Sequence, residues 1–316
     1  MPLVEASPDP DIEFTYLGDQ SGLASAEYEM GLFEYRAGRT RVALPLFESA
    51  EKRYALEDSI AGRAHALNAM AVIHLDLGQT DLGVKYLRDA AAAFSDAHDA
   101  TGEAGTLLNL GTAQQDRCEL KDALLSYTQA TTNARNAHNL SLAALAQANI
   151  AGLYIEMRDP AEARSSAQHA LDLCSGITSP ESQGWAHLYS GAADILSGDI
   201  GHATDEIDAA RKSLENTNAV GRIAVKIHEA KLHEANGRPD LADETLTAAL
   251  ALAADAEFDT ERVDVLFASA EIFLARNNMK GAKESLEKTK EVCDRGHLSQ
   301  CDCRSAAERL AQLPPI

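Results

Sequence analysis

Residues 101–140 read TGEAGTLLNLGTAQQDRCELKDALLSYTQATTNARNAHNL, and this stretch holds one copy of a pattern that runs through the chain. Small residues recur at the position of Gly111 with successive steps of 40, 40, 40, 40, 39 and 40 residues. The column consists of Gly31, Ala71, Gly111, Ala151, Gly191, Ala230 and Ala270. A nearly constant period of this size is typical of repeat architectures. The sequence therefore predicts seven copies of one structural unit.

Each copy has the pattern of two helices joined by a short turn. Apolar residues recur three and four positions apart in Ala24–Arg36 and again in Val42–Tyr54 of the first copy, and this spacing indicates amphipathic helices. The interruption between them contains Gly, Asn or Pro in most copies, and these residues end or begin helices. A bulky column lies between small ones in the second helices, at Phe47, Leu87, Tyr127, Ala167, Ile207, Leu246 and Leu286. Each copy is thus predicted to be a helical hairpin.

The charge balance restricts the class of partner. The net charge is −21, whereas binding to nucleic acid requires Lys and Arg to displace counterions from the phosphates. We therefore expect no nucleic-acid partner, and instead a protein or peptide that is neutral or basic. The N-terminus has no basic and apolar leader, and no apolar run is long enough to span a bilayer. We accordingly expect a cytoplasmic protein without a membrane partner.

Five cysteines occur, at Cys118, Cys174, Cys293, Cys301 and Cys303. They are few and unevenly placed for a secreted disulfide framework, so they are interpreted as ordinary cysteines of a reducing compartment. One alternative is a zinc site, because Cys293, His297, Cys301 and Cys303 supply thiolates and an imidazole within eleven residues. The single residue between Cys301 and Cys303 does not match the usual zinc-ligand spacing, and no metal is predicted.

The repeat resembles the tetratricopeptide repeat (TPR) family. Leu110-Gly111 matches the first helix of that motif, and Ala43, Phe47 and Ala50 match the second. The similarity covers residues 22–294, but the unit is longer than the usual ~34 residues and lacks the closing proline. In both respects the chain resembles the long-repeat branch of the family, found in kinesin light chains, Pins-type scaffolds and Rap-type bacterial peptide receptors.

The resemblance implies an all-α fold, a right-handed superhelix (an α-solenoid) of seven TPR-like hairpins. The hairpins would cover residues 21–294, preceded by a flexible lead-in at residues 1–20 and followed by a capping helix and tail at residues 295–316. In this fold the first helices line the concave wall, which in the related families holds peptides or partner proteins. Mapping that wall onto the chain nominates as ligand contacts Tyr28, Tyr35, Arg36, His65, Asn68, Asp76, Gln115, Asp116, Ile155, Glu156, Trp185, Leu188, Ile195, Ile227 and Lys231.

The middle of this wall is predicted to be an apolar strip, formed by Leu145, Ile155, Trp185, Leu188, Ile195, Leu196 and Ile227. Exposed apolar strips of that size usually have a binding partner, and tryptophan is common at binding hot spots. Trp185 could equally fill a gap between neighbouring helices. Asn68 is placed where an amide could bond to the backbone of a ligand.

No catalytic motif is found, because the chain has no Gly-rich phosphate loop, no Gly-X-Ser-X-Gly elbow and no His-Glu-X-X-His run. We therefore expect no enzyme activity and no cofactor. The predicted function is a scaffold that binds a protein or peptide. The alternative is a sensory input unit of a bacterial signalling protein, acting as a peptide receptor or as part of a longer chain. A homodimer, in which a second copy covers the apolar strip, is a further alternative.

Overall fold

The computed structural model describes residues 20–255, 259–296, 298 and 301–314. Within these ranges the chain forms fifteen α-helices and no strand. The helices are α1 Gln20–Arg36, α2 Thr40–Leu56, α3 Ile60–Asp76, α4 Thr80–Asp96, α5 Ala100–Asp116, α6 Leu120–Asn136, α7 Leu140–Glu156, α8 Pro160–Cys174, α9 Pro180–Ser197, α10 Ile200–Leu214, α11 Ala219–Ala235, α12 Pro239–Asp255, α13 Asp259–Ala275, α14 Met279–Gly296 and α15 Cys301–Gln312.

Six successive pairs of helices pack as hairpins, namely α1 with α2, α3 with α4, α7 with α8, α9 with α10, α11 with α12 and α13 with α14, and α15 packs on the last hairpin. The helices α5 and α6 are the third pair in sequence. This confirms the prediction of an all-α array of helical hairpins closed by a terminal helix. The predicted lead-in lies outside the described residues except for its last residue, Gln20. None of the helices in the described part of the chain combines the length and the apolar character needed to cross a membrane.

The turn inside each hairpin repeats as regularly as the sequence does. One residue with positive φ occupies it in every copy, at Gly38, Gly78, Cys118, Arg158, Gly198, Gly237 and Asn277. Glycine adopts this left-handed conformation without a steric cost, whereas Cys118 and Arg158 adopt it at a small one. The two turn prolines, Pro160 and Pro239, are the first residues of α8 and α12, where a proline sacrifices no helical hydrogen bond.

Small residues on one helix of a hairpin face bulky residues on the other. A Cβ added to Gly31 would lie 2.7 Å from the Phe47 ring, and one added to Gly191 would lie 2.8 Å from Ile207. The alanines that recur at the position of Ala43 in the second helices have no exposed surface, namely Ala43, Ala123, Ala163, Ala203, Ala242 and Ala282. The helices therefore approach closely because the period places a small residue opposite each bulky one, as interiors packed to crystal density require.

The chain divides between Ala113 and Gln114 into two compact units, Met1–Ala113 and Gln114–Ile316. A single continuous solenoid over residues 21–294 stays a prediction. The second unit contains most of the candidate site.

Two disulfides contradict the interpretation of the cysteines. Cys118 bonds to Cys301 with a Cα–Cα distance of 5.1 Å, and Cys293 bonds to Cys303 with a Cα–Cα distance of 5.9 Å. Only Cys174, which is buried, is free. The argument from the cysteines for a reducing compartment therefore fails. The first pair could not be recognised because its members lie 183 residues apart and meet only through the curvature of the helix array.

The same two bonds bear on the alternative of a zinc site. Three of its four proposed ligands, Cys293, Cys301 and Cys303, are engaged in disulfides and have no thiolate to offer a metal. The fourth, His297, lies outside the described residues.

Candidate functional site

The first helices of the hairpins form the inner face of the Gln114–Ile316 unit. Here α7, α9, α11, α13 and α15 contact one another in succession, whereas no two of the second helices α8, α10, α12 and α14 come as close through their described residues. Helices that approach more closely lie on the inside of a curved array. We call this concave face, lined by the first helices and by the end of α5, the groove.

Polar bonds between side chains about one period apart hold neighbouring first helices together. The Gln115 amide donates a hydrogen bond to Glu156. The Lys231 ammonium lies 3.3 Å from the Glu271 carboxylate, and the Arg276 guanidinium lies 2.6 Å from Glu234. These bonds join α5 to α7 and α11 to α13. The predicted wall residues Gln115, Glu156 and Lys231 therefore lie along one surface.

An aromatic strip on two consecutive first helices of this unit, α9 and α11, also contacts a third, α7. The Tyr189 ring stacks on Trp185 at a centroid distance of 5.7 Å and meets the edge of His228 at 6.5 Å. On its other side Tyr189 lies against Gly152 of α7, where an added Cβ would be 2.7 Å from Cζ of the tyrosine. Glycine is required there because the ring approaches the helix backbone. Trp185, Tyr189 and His228 are half-buried.

The strip is uncharged at neutral pH. Burial, assisted by the nearby Lys231 ammonium, lowers the pKa of His228 to about 4, although a backbone hydrogen bond opposes the shift. Nδ1 of His228 donates that bond to the Ala224 carbonyl at 2.9 Å, so Nε2 is the acceptor nitrogen. Burial also raises the pKa of Tyr189, and the carboxylates of Glu156 and Asp264 raise it further.

The predicted apolar strip is wrong at two positions. Leu188 is 0% exposed and Ile227 is 8% exposed, and both belong to the hydrophobic core between the hairpins. The α-helix turns by about 100° per residue, so the neighbours Tyr189 and His228 face the groove in their place. Trp185 belongs partly to the core and partly to the groove. Part of its ring packs on the two core clusters that contain Leu188 and Ala186, and the remainder is exposed.

Two further apolar candidates are intermediate cases. Ile195 is half-buried and packs on the cluster that contains Ala203 and Ile207, so most of its contact is with its own hairpin. Ile155 is also half-buried, on α7. The groove is therefore less apolar than predicted.

Four carboxyl groups come together in the groove, and we call them the acid cluster: Asp116, Glu156, Asp264 and Asp302. They come from α5, α7, α13 and α15, so the folded array gathers them from widely separated parts of the chain. Solvent reaches Asp116 and Glu156 although protein surrounds them on most sides, as expected for groups on a concave face. Only the first two were predicted as site residues.

Each member of the acid cluster holds its proton more tightly than a free carboxyl group. Burial, together with Asp302 and Glu261, raises the pKa of Asp116 to about 6. Burial raises the pKa of Glu156 to about 7, although the hydrogen bond from Gln115 opposes the shift. Burial, and next in importance the Glu271 carboxylate, raises the pKa of Asp302 to about 6.

Asp264 shows the effect most strongly. Its pKa lies well above the usual range because burial is reinforced by Asp302, Glu261, Asp116 and Glu156. Like charges in a partly desolvated site disfavour ionisation. The cluster therefore carries less than its full negative charge near neutral pH.

Glu271 contrasts with the acid cluster because its charge is already neutralised. Burial alone would raise its pKa, but Lys231, Arg309 and Arg158 outweigh burial and lower it. The guanidinium groups of Arg158 and Arg309 lie 3.1 Å and 3.4 Å from its carboxylate. The basic wall residue Lys231 is thus paired with Glu271, and it also offsets part of the burial effect on the pKa values of Glu156 and Asp302.

The Met1–Ala113 unit contains the remaining candidates. Oη of Tyr35 donates a 2.8 Å hydrogen bond to Asp76. Burial, and then this bond, raise the pKa of Tyr35, while burial raises the pKa of Asp76 against the effect of the bond. Asn109 donates to the side-chain oxygen of Asn68 at 3.3 Å. These bonds, too, connect first helices one period apart.

The other three candidates of this unit differ in exposure. The His65 ring is exposed and meets the edge of Phe94 at a centroid distance of 4.8 Å and Tyr28 at 6.2 Å. Tyr28 is half-buried against Phe47, and Arg36 is exposed. The amide oxygen of Asn68 is engaged by Asn109, so a grip on a ligand backbone stays a prediction for that residue.

Sequence analysis missed three kinds of residue in the groove. Tyr189 and His228 each lie one position after a nominated residue, and a helical register one residue later would have found them. Asp264 and Glu271 follow the period of the first helices and fall on the predicted wall, but they are not among the nominated ligand contacts. Asp302 lies beyond the last repeat, and no periodic signal points to it.

Comparisons with known proteins agree with this architecture. No protein-family model matches the chain, and no curated protein matches it. Solved structures do match. One is a Rap protein complexed with competence and sporulation factor, with a TM-score of 0.72 at 16% identity, which covers 93% of this chain and 82% of that one.

Two other solved structures resemble the chain over a similar extent. The Rap conjugation gene regulator of plasmid pLS20, in complex with the Phr* peptide, has a TM-score of 0.70 at 12% identity and covers 93% of this chain and 81% of that one. A tetratricopeptide repeat protein from Parabacteroides merdae has a TM-score of 0.58 at 14% identity, with coverages of 92% and 98%. At these identities the comparisons show that the chain has a TPR-like fold.

Proposed function

We propose that the groove of the Gln114–Ile316 unit binds a peptide, or an extended protein segment, that carries at least one Lys or Arg side chain. The observation that carries the proposal is the acid cluster, four carboxyl groups gathered on the concave face whose pKa values all lie above the usual range. We further propose that the chain binds this ligand without catalysing a reaction and without a cofactor.

The negative charge of the acid cluster favours a ligand that carries a positively charged group. A guanidinium or ammonium group within the groove would favour the ionised carboxylates and so lower pKa values that burial has raised. Binding would therefore release protons. At pH 5 Asp116 and Asp302, whose pKa values are about 6, are mainly protonated, and a basic ligand would find little charge to pair with. Affinity is expected to rise from pH 5 to pH 8.

The aromatic strip supports a peptide rather than a small cation. Trp185 and Tyr189 offer half-buried ring faces beside the acid cluster, and aromatic faces attract both apolar side chains and guanidinium groups. Two of the similar structures contain, in the words of their descriptions, competence and sporulation factor and the Phr* peptide. Both observations favour a short peptide as the first ligand to test.

The test is a binding assay with fluorescein-labelled hexapeptides in which each position in turn is Arg, Glu or Leu. Fluorescence anisotropy at pH 7.5 is expected to rise only for peptides that contain Arg. The double variant Asp116→Asn with Glu156→Gln should raise the Kd about tenfold or more. A tenfold change corresponds to a loss of about 1.4 kcal/mol of binding free energy. Asp122→Asn with Glu162→Gln is the matched control.

The control makes the same change of charge on the second helices, where both residues are exposed. Equal losses in the two double variants would mean that only the overall charge of −21 attracts the peptide, and the groove would not be the site. Mass spectrometry of each peptide after incubation checks the absence of catalysis, because an altered peptide mass would contradict it.

A second candidate function is regulation of a bacterial signalling partner by the bound peptide. One similar structure is described as a conjugation gene regulator in complex with a peptide, which favours this alternative over a passive scaffold. Analytical ultracentrifugation with and without the peptide would show whether binding changes self-association. A peptide-dependent change from monomer to dimer would support a regulator in which a second copy is the first partner, and no change would count against that homodimer.

A further inference from the structure

The Cys118–Cys301 disulfide spans the groove. Cys118 lies in the turn between α5 and α6, in the third hairpin, and Cys301 is the first residue of α15, beyond the seventh hairpin. The bond therefore connects the two ends of the Gln114–Ile316 unit across its concave side. A second link crosses in the same direction, because Arg158 in the turn of the fourth hairpin pairs with Glu271 of α13 at 3.1 Å.

The helix α15 is fastened to the last hairpin by separate contacts. Ala306 is buried against Phe267, Ala270 and Leu286. The guanidinium of Arg309 lies 4.6 Å above the Phe267 ring. The second disulfide, Cys293–Cys303, ties α15 to α14. These contacts do not involve the third hairpin, so α15 would stay on α13 and α14 if the Cys118–Cys301 bond were broken.

The two disulfides differ in their access to solvent. Cys118 is exposed and Cys301 is half-buried, whereas Cys293 and Cys303 are only 5% and 9% exposed. Thiol–disulfide exchange requires an attacking thiolate to reach a sulfur atom of the bond. A reductant in solution therefore meets the bond across the groove before the bond between α14 and α15.

Charge opposes the closed arrangement once the covalent bond is gone. Asp302, directly after Cys301, raises the pKa values of both Asp116 and Asp264, whereas Lys231 and Arg309 offset part of the burial effect on Asp302 itself. The ion pair of Arg158 with Glu271 works in the opposite direction, but the Arg158 side chain is 65% exposed, and exposed ion pairs contribute little. The covalent bond thus adds a restraint to the helix packing that brings Asp302 close to Asp116.

We propose that Cys118–Cys301 is a redox-operated strap that closes the groove when oxidised and opens it when reduced. A dithiol reductant attacks Sγ of Cys118, the Cys118–Cys301 bond breaks, and a mixed disulfide forms. The second thiol of the reductant then displaces Cys118. The reductant leaves as a disulfide, and the chain gains two electrons and two protons as two thiols. The Cys293–Cys303 bond remains intact in this step.

The first test does not depend on any ligand. The full chain is purified under air and exposed to increasing dithiothreitol, the thiols formed are alkylated with N-ethylmaleimide, and the labelled cysteines are identified by mass spectrometry. Cys118 and Cys301 should become labelled at dithiothreitol concentrations about tenfold lower than Cys293 and Cys303, because access controls the exchange. Labelling of all four together, or of Cys118 before any reductant is added, would overturn the proposal.

Opening is measured by hydrogen–deuterium exchange and by the radius of gyration from X-ray scattering. The double variant Cys118→Ser with Cys301→Ser should exchange faster at the α5–α6 turn and at the start of α15, should have a larger radius, and should no longer respond to mild reduction. The matched double variant Cys293→Ser with Cys303→Ser should keep the response. If the first double variant does not fold, as judged by circular dichroism, mild reduction of the unaltered chain decides the question, and an unchanged radius refutes opening.

Control of ligand exchange rests on the proposed peptide-binding function and is tested separately. An Arg-containing hexapeptide that binds the oxidised chain should dissociate at least about tenfold faster after mild reduction, because most changes in affinity appear in the dissociation rate. If no hexapeptide binds in either state, the peptide proposal fails while the labelling and scattering results still decide the strap. Equal dissociation rates in both states would limit the strap to a structural role and contradict its regulation of the groove.

Discussion

Replacing Leu188 by Ala should destabilise the protein strongly, although the period of the sequence nominates this residue as a ligand contact. Leu188 is 0% exposed and packs with Ala210, Leu214 and Val225. The substitution removes the equivalent of about three methylene groups, at roughly 0.8 kcal/mol each. Because Ala210 is too small to fill the space, a cavity term adds to this loss, and the expected cost is about 3–4 kcal/mol.

Leu196→Ala is the matched control for this prediction. Leu196 lies on the same helix, α9, but is 37% exposed, so its truncation should cost less than about 1 kcal/mol. Trp185 is the only tryptophan in the chain and packs on the same cluster as Leu188. Its fluorescence during urea unfolding therefore reports the stability of this part of the array, which matters because repeat arrays can unfold in more than one step.

The outcome distinguishes the two roles of Leu188. With a slope of about 2–3 kcal/mol per molar urea, a core residue shifts the fluorescence midpoint by roughly 1–2 M, and the Leu196→Ala midpoint stays close to that of the unaltered chain. If Leu188→Ala and Leu196→Ala unfold at the same urea concentration, while only Leu188→Ala weakens peptide binding, the assignment of Leu188 to the core would be refuted.

Two other predictions concern buried charge. Asp302→Asn should stabilise the protein at pH 7.5. The pKa of Asp302 is about 6 in the folded state, so folding favours the protonated carboxyl group. The contribution of Asp302 to stability therefore decreases as pH rises from about 4 to 7. The pKa shift of about two pH units, discounted for solvent screening, gives a gain in stability of about 1 kcal/mol that should vanish near pH 4. A thermal-unfolding series over pH measures this gain, with Asp255→Asn as an exposed control. A gain in stability that grows towards acid pH would contradict the expected pH dependence. Asp194 is 0% exposed and accepts hydrogen bonds from Arg164 and His202. Asp194→Ala should cost about 1–3 kcal/mol of stability, because Arg164 and His202 can both turn to water. The double variant Arg164→Ala with His202→Ala should cost more, about 3–5 kcal/mol, because it leaves a buried carboxylate unpaired. Urea unfolding of the two variants measures the difference, and the reverse order would show that the carboxylate is not the costly member.

Most of the local structure could be predicted from the sequence alone. The steps of 39 and 40 residues recur in the positive-φ positions from Gly38 to Asn277, and the prolines Pro160 and Pro239 begin helices as expected. These features depend on residues close together in the chain, because turn conformation and helix periodicity are set by the backbone preferences of a few neighbours. For the same reason the close contact of Gly31 with Phe47, within one hairpin, follows from the columns.

The groove itself could be predicted only in part. The column that contains Asp116 and Glu156 was identified, since both occupy the same position of the period. The error at Leu188 arose because a register wrong by one residue turns a side chain by about 100°, which exchanges groove for core. The helix pattern alone does not separate these positions, since Tyr189 and Leu188 are both apolar enough to satisfy it.

What the sequence determined by itself is therefore the repeated unit: two helices, their turns, and the small and bulky positions that pack them together. What only the tertiary structure decided is which distant groups meet across the curved array. Asp302 joins Asp116, and Cys118 bonds to Cys301 across 183 residues, because small rotations between successive hairpins add up until the ends of the Gln114–Ile316 unit approach each other. No local pattern encodes that sum, since it depends on the packing angle at every interface between hairpins.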